Sequence, residues 1–357
     1  MGKYDSGAVY ILNEEDENKN RTEYYKIGLV GPTKTVQERI KQHQTGNPRK
    51  IINVHSFDSL APHFVEGHLH KRFGIQRGSG EWFKLSGKEL QDVIDEAARY
   101  EKIIGPEVSS VRDLHHQPSN GQSATLSTAE QKNAEKIHAK LVVIEVELQA
   151  IAFHESIHKL NFKLATGNNE GGIDGITSFT ISGGGAPKFQ TSLFIDSSPA
   201  NEAIYNQFCT KRSITGSKMK TVISQTKAKN HPKLHEAEKA ATAAFEANKP
   251  AIGGTVQKTV KRTSSLEKQH EDYINLLQHK EELEEQKFMC HFELMKLCGS
   301  NDQIDGICTW VRKEKFAFDQ VLFKKLHPEL FADTQYYAAI IKPPTISIGL
   351  NGARDYV

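Results

Sequence analysis

The sequence predicts an α+β chain in two parts: a small mixed α/β unit, built on a three-stranded sheet with flanking helices, and then a mainly helical α+β module. Three observations predict it. Strand and helix patterns alternate through residues 7–104, a stretch rich in Ser, Gln, Pro, Gly and His covers 105–127, and apolar residues then recur at helical spacing through much of 128–357. The expected boundaries are a first unit over 1–104, a flexible linker over 105–127 and a module over 128–357, with a further division near 200–265. At 357 residues the chain has room for two or three separate cores.

Taken in order, Val9 to Leu12 and Tyr24 to Val30 are rich in β-branched and aromatic residues and flank a charged connection too polar to bury, which predicts two strands and a hairpin. Gly31-Pro32 ends the second strand. Thr33 or Thr35 can cap the helix that follows, in which Val36 and Ile40 lie four apart on one face. Thr45-Gly46-Asn47-Pro48 stops it, Ile51 to Phe57 predicts a third strand, and Ala61 to Phe73 a second helix. Gly78-Ser79-Gly80 leads into a short strand at Glu81 to Leu85, and a helix from Gly87 to about Ile104 closes the unit.

Beyond the linker, Ile137, Leu141, Ile144, Leu148 and Ile151 form the core stripe of a long helix. Two strands, Ile176 to Ser182 and Phe189 to Ile195, are expected around a turn at Gly183-Gly184-Gly185. Leu266 to Leu297 reads as a long helix in which Leu276, Leu283, Cys290 and Leu297 recur every seven residues. Lys280 and Lys287 spoil the other half of that seam, which favours a helix docked on its own module over a zipper. A strand at Gly306 to Arg312, a helix from Asp319 to His327-Pro328 and a strand at Thr345 to Leu350 complete the prediction.

The net charge is +2, so affinity for a polyanion must come from local basic concentrations. Two exist: Lys34 to Lys88 holds ten basic and four acidic residues, and 205–262 holds twelve basic and three acidic, the latter including Lys211, Arg212, Lys218, Lys220, Lys227 and Lys229. Such windows suit a polyanion such as DNA and equally suit a solvated surface. Cys209, Cys290, Cys298 and Cys308 lack CxxC spacing and no signal-peptide pattern precedes them, so a reducing, cytoplasmic setting is expected. No apolar run approaches bilayer length, so no membrane partner is expected.

The first unit carries the chemistry. Strand alternation turns Tyr10 away from Val9 and Ile11, where its phenol can assist a water. Arg39 and His43, four apart on one helix face, can grip a phosphate oxygen and relay a proton. Glu66 offers a hard carboxylate to Mg²⁺ or Mn²⁺.

These residues resemble the GIY-YIG endonuclease superfamily. The two halves of its motif look like Ala8-Val9-Tyr10 and Lys26-Ile27-Gly28. Tyr25-Lys26-Ile27-Gly28, Gln44-Thr45-Gly46-Asn47-Pro48, Glu66-Gly67-His68-Leu69-His70 and Gly80-Glu81-Trp82-Phe83 are similar to a phage-type branch, over about residues 7–100. The resemblance implies Tyr10 as the base-assisting phenol, Arg39 as phosphate clamp, His43 as proton-transfer helper and Glu66 as single metal ligand. Tyr25, Gly28, Lys41, Arg49, Lys71 and Arg72 are expected to meet the substrate. Two positions depart from the pattern. Lys26 stands where the second tyrosine usually is, as an alternative base or a phosphate contact, and Glu81 replaces a late asparagine, as a second carboxylate or a structural residue.

His154-Glu155-Ser156-Ile157-His158 matches the zinc-peptidase pattern HExxH on a predicted helix, with Lys159 following where an uncharged residue is usual. Gly306 to Arg312 with His327-Pro328-Glu329-Leu330-Phe331 faintly resembles the tail of YqaJ-type phage recombinases. The function expected is a Mg²⁺- or Mn²⁺-dependent DNA endonuclease whose C-terminal helical module targets DNA, binds a protein partner or self-associates, in phage biology or anti-phage defence. The alternatives are an inactive DNA-binding adaptor and, less favoured, a zinc metallopeptidase.

Overall fold

The structure, a computed structural model, describes every residue except 1, 46, 79, 168–171, 181–186, 216–218, 222–225, 249–257, 340–344 and 349–357. It is a mixed α+β chain: an antiparallel sheet with flanking helices, then a mainly helical region. Strands β1 (Gly7–Glu15) and β2 (Arg21–Val30) form the hairpin, whose turn is held by Asp16 Oδ1 accepting from the amides of Asn18 and Asn20, both at 2.8 Å. Helix α1 (Val36–Gln44) begins with a reciprocal Thr35–Glu38 capping box and leads to β3 (Lys50–Ser59). Helix α2 (Pro62–Arg72), strand β4 (Trp82–Lys84) and helix α3 (Gly87–His115) follow. The strand order is β3-β1-β2-β4, so β4 makes a fourth strand on a sheet for which three were expected.

The central strand β1 is buried on both faces. Val9, Ile11 and Ile27 face a core shared with Phe64 and Leu69 of α2 and Val93 and Ala97 of α3, whereas Tyr10 and Leu12 face Val36 and Ile40 of α1. Each fully covered aliphatic side chain here contributes about 1.5–3 kcal/mol relative to exposure, which makes the register of β1 strongly specified.

Helix α3 does not end near Ile104. It continues through Gly105-Pro106 because Ile104, Val108 and Val111 extend its buried stripe, and that packing outweighs the local breaking signal. The stretch read as a flexible linker is therefore helical to His115, and its remainder is tied down: Ser119 Oγ accepts from the Arg312 amide (2.7 Å), and the Gly121 amide donates to Asp302 Oδ2 (2.6 Å). Arg312 is fully buried, donating to the carbonyls of Leu114 (2.8 Å) and Ser300 (2.6 Å) with its guanidinium 4.3 Å from the Trp310 ring. Arg312→Ala, which strands these carbonyls and Asp302, is expected to cost about 3–5 kcal/mol. Denaturant unfolding measures the loss, and unchanged stability would count against the tie.

Helix α4 (Thr128–Thr166) carries the predicted stripe. After it come β5 (Thr177–Thr180), β6 (Lys188–Phe189), α5 (Thr191–Ser197), α6 (Pro199–Gln207), β7 (Lys211–Thr215), β8 (Met219–Thr221), α7 (Lys227–Asn230), α8 (Pro232–Ala247) and α9 (Ser264–Cys298). The chain continues through β9 (Gln303–Ile304), β10 (Cys308–Trp310), β11 (Lys313–Ala317), α10 (Gln320–Leu326), α11 (Pro328–Ala332), β12 (Tyr337–Ala338) and β13 (Thr345–Ile348). The segment expected as a strand over Phe189 to Ile195 is a helix from Thr191, because its one fully buried residue, Phe194, docks on Phe323 and Tyr336 in an aromatic cluster. β5 and β6 pair with β13 and β12, not with each other, and the glycine turn at 183–185 lies outside the described residues.

Helix α9 docks on α4, as its imperfect heptads predict. The two lysines that spoil the seam are paired across it, Lys280 with Glu155 (2.8 Å) and Lys287 with Glu145 (2.9 Å). The same helix reaches the first unit, where Phe64 packs edge-on against Phe288 and Phe292 at 5.6 and 5.7 Å. Among the described residues no helix is long and apolar enough to cross a membrane.

Candidate active site

Cross-strand partners share a face of a sheet, and the register pairs Tyr10 with Gly28 and Leu12 with Lys26. Tyr10, Gly28 and Lys26 therefore lie on the face under α1, and Tyr25 lies on the other, packed against the main core. Val36 and Ile40 seat α1 on this face. Its next polar residues then reach the phenol: the Tyr10 hydroxyl lies 3.3 Å from His43 Nε2, and Arg39 Nε donates to it at 3.5 Å. The turn after α1 is built around Gln44, whose amide donates to the carbonyls of Asn47 (3.0 Å) and Arg49 (2.8 Å) while its carbonyl accepts from the Ile51 amide (2.9 Å). Gln44 and Asn47 of the sequence motif thus help to set α1 against β3.

Gly28 is required by contact. A Cβ added there would stand 2.5 Å from the Tyr10 hydroxyl and 2.6 Å from its ring carbon Cζ, within a rigid buried ring. Gly28→Ala is expected to displace Tyr10, at a cost of about 1–3 kcal/mol for overpacking. Any activity that depends on Tyr10 should fall with it. Thermal unfolding and an activity assay check the two halves, and a variant with native stability and activity would contradict this geometry.

The charges around the phenol are ordered by burial. Tyr10 is 1% exposed, and burial raises its pKa despite the opposing effect of Arg39, so the phenol stays protonated at neutral pH. Burial, followed by the charges of Lys26 and Arg39, lowers the pKa of His43 and keeps its ring neutral, fit to accept the phenol proton at Nε2. Lys26, 7% exposed, forms a 2.5 Å ion pair with Glu81. Burial works against ionisation of Glu81, yet the hydrogen bond and charge of Lys26 hold its pKa below the ordinary value. Glu66, from α2, makes no hydrogen bond or ion pair within the described residues. Burial and then the negative charge of Glu81 push its pKa to about 7, with Lys26, Arg77 and Arg39 acting in the opposite sense.

The fold thus brings Tyr10, Gly28, Lys26, Arg39, His43, Glu66 and Glu81 into one neighbourhood. Lys41 and Arg49 are exposed, at the end of α1 and in the turn beyond it. Lys71 and Arg72 instead face α9: Lys71 is bonded to Glu284 (2.5 Å), and both line a groove with Ile274 and Leu277. Tyr25 is turned away by strand alternation, so the structure does not place these three with the phenol. Arg77, not singled out in the sequence, has its charge in reach of Glu66 and His70 and donates from Nε to the Gly80 carbonyl (2.6 Å). Its position just before Gly80-Glu81-Trp82-Phe83, inside the first basic window, was the available signal. His70 Nε2 donates to the Ile27 carbonyl (3.0 Å) and pins α2 to β2.

Residues 7–98 match the family model of the T5orf172 domain. The family is associated with phage endonucleases, and the match marks this part of the chain, about a quarter of its length, as nuclease-like. It ends before α4 and lends nothing to the likeness of the tail to YqaJ-type proteins. Searches of the curated proteins and of the solved structures gave no match.

In the HExxH stretch, Glu155 is held by both Lys159 and Lys280, and the His158 ring lies among Phe162 and Tyr273. The carboxylate that a zinc peptidase would need as its base is committed to two ammonium groups. Among the described residues no group of three or more His, Cys, Asp or Glu side chains is placed to hold a metal ion.

Proposed function

We propose that the chain is a divalent-metal-dependent DNA endonuclease of the GIY-YIG type, with catalysis in residues 7–98 and targeting in the helical region, acting on phage or host DNA in a cytoplasmic setting. The observation that carries this reading is the buried Tyr10 phenol bonded at once to a neutral His43 and to Arg39, on the sheet face that also carries Lys26.

With its pKa raised, Tyr10 acts as a relay. Its oxygen accepts a proton from the attacking water while its own proton passes to His43 Nε2; the water oxygen forms its bond to phosphorus as the bond from phosphorus to the departing sugar oxygen breaks, and that oxygen leaves with the bonding pair and is protonated from solvent. Arg39 stands beside that oxygen, where its guanidinium offsets charge developing on the phosphate. Lys26, neutralised by Glu81, fills the place of a second phenol and contributes a fixed dipole along the same face.

Glu66 suits a divalent cation. It is a half-buried carboxyl without a protein partner among the described residues, and burial, followed by the negative charge of Glu81, raises its pKa to about 7. Mg²⁺ or Mn²⁺ asks a protein for only one or two carboxylates, taking its remaining ligands from water and substrate oxygens. Held there, the ion would supply neutralising charge at the scissile phosphate.

The Lys26–Glu81 pair also supports a second reading, a DNA-binding adaptor that keeps the fold without turnover, since it occupies a catalytic tyrosine's place with a locked ion pair. Plasmid DNA incubated with wild type and with Arg39→Ala under Mg²⁺ or Mn²⁺ separates the two. Nicking or linearisation by wild type, lost in the variant, supports the nuclease. Salt-sensitive binding without cleavage supports the adaptor.

A further inference from the structure

We infer that His70 is a second protein ligand, beside Glu66, for one divalent transition-metal ion such as Mn²⁺. The purpose of the ion rests on the nuclease reading, whereas the pairing of the two side chains rests on how α2 is set against β2.

Glu66 and His70 lie four residues apart on α2, so they share one face of the helix, and both are half-buried. That spacing lets two helical side chains reach a single ion, as two histidines do in helical zinc sites. The ring of His70 is held where the site is. Strand β4 begins at Trp82, opposite Lys26, so β2 runs on past the end of its neighbour. There the Ile27 amide donates to the Glu81 carbonyl (3.1 Å), and the Ile27 carbonyl accepts from His70 Nε2 (3.0 Å). The imidazole is thus fixed at the residue between Lys26 and Gly28, beside the chain that carries Glu81. Lys26, Arg77 and Glu81, whose charges act on Glu66, act on His70 as well.

The bond to Ile27 also settles which ring nitrogen is left over. A carbonyl can only accept, so Nε2 carries the proton. Burial, the largest effect, holds the His70 pKa below its ordinary value and favours the neutral ring. Nδ1 then carries a lone pair, and it makes no hydrogen bond among the described residues. Metal-ligating histidines are ordinarily held this way, one nitrogen giving its proton to a backbone carbonyl so that tautomer and ring orientation are fixed for the other. The neighbouring histidines are engaged differently. His43 Nε2 meets the Tyr10 hydroxyl, and His68 spends both nitrogens on Glu96 (2.6 Å) and Glu281 (3.3 Å).

One carboxylate and one imidazole leave the remaining coordination positions to water and substrate oxygens. The nitrogen ligand ranks first-row transition ions above Mg²⁺, which favours oxygen.

The test loads the untagged full chain with Mn²⁺ alone, without DNA, and reads nitrogen coupling to the ion by electron spin-echo modulation. Wild type is expected to show imidazole nitrogen modulation, His70→Gln to lose it and His43→Gln to keep it. The glutamine amide can still donate to the Ile27 carbonyl, so thermal unfolding of His70→Gln should stay close to wild type. Calorimetric titration should show Mn²⁺ binding weakened about tenfold or more in that variant, with Mg²⁺ less affected. Mn²⁺ bound to wild type without nitrogen modulation, modulation that survives in His70→Gln, or no Mn²⁺ binding by wild type would overturn the proposal. Should His70→Gln fail to fold, the wild-type and His43→Gln spectra still decide, since loss of the signal in His43→Gln assigns it to the wrong ring. Nitrogen-coordinated Mn²⁺ in a chain that cuts no DNA would end the nuclease reading and leave the site standing. Metal-dependent cutting without the nitrogen signal would do the reverse.

Discussion

Tyr10→Phe is expected to lower DNA cleavage by about 10²–10⁴-fold, the range over which a positioned proton-transfer group acts, while leaving the fold and DNA affinity intact. The ring would still fill its place beneath α1 and over Gly28. Only the hydroxyl that bonds His43 and receives Arg39 is lost. Single-turnover cleavage at saturating metal isolates the chemical step. His43→Ala should slow the same step, because the phenol then has no acceptor. If Tyr10→Phe cleaves at the wild-type rate, proton relay through the phenol is wrong even if the chain is a nuclease.

Glu66→Gln is expected to remove metal-dependent cleavage nearly completely, and the pH dependence carries a sign that can be checked. The Glu66 carboxyl must shed a proton whose pKa lies at about 7 before it can bind a cation. Apparent metal affinity should therefore climb about tenfold per pH unit below 7 and level off above it, as expected when ligation releases one proton. In the glutamine variant any residual affinity should be flat across that range. The stability effect runs in the opposite direction. Because the folded-state pKa is raised above the ordinary 4.5, the contribution of this carboxyl to stability is present below pH 4.5 and lost as pH rises through about 7. Metal-free Glu66→Gln should thus gain stability over wild type at pH 8 and not at pH 4. Equal stability at both would mean that Glu66 is not buried as described.

Much of the site was legible because its parts are local. Alternation on β1 turned Tyr10 away from Val9 and Ile11, four-residue spacing joined Arg39 to His43, and Thr33 or Thr35 marked the start of α1, whereas Tyr25, expected at the substrate, is placed on the other face by the β1–β2 register. What could not be read was set by distant partners. Lys26 and Glu81 were visible as two separate departures, 55 residues apart, and only the pairing of β4 with β2 makes them one ion pair. Lys71 counted as a basic residue near the site until α9 supplied Glu284, 213 residues away. The Gly105-Pro106 pair is a breaker by local rules, and the chain stays helical there because packing on either side favours it. The fourth strand was recognised as a short extended piece, but its place at the sheet edge depends on a register that no local pattern encodes.

The central claim is tested most directly by incubating purified wild-type protein with supercoiled plasmid in Mg²⁺, in Mn²⁺ and in EDTA, and following nicked and linear products. The account predicts products with either metal, none with EDTA, and their return when excess metal is added back. Protein that binds DNA but leaves duplex, single-stranded and modified substrates uncut in every metal would contradict it.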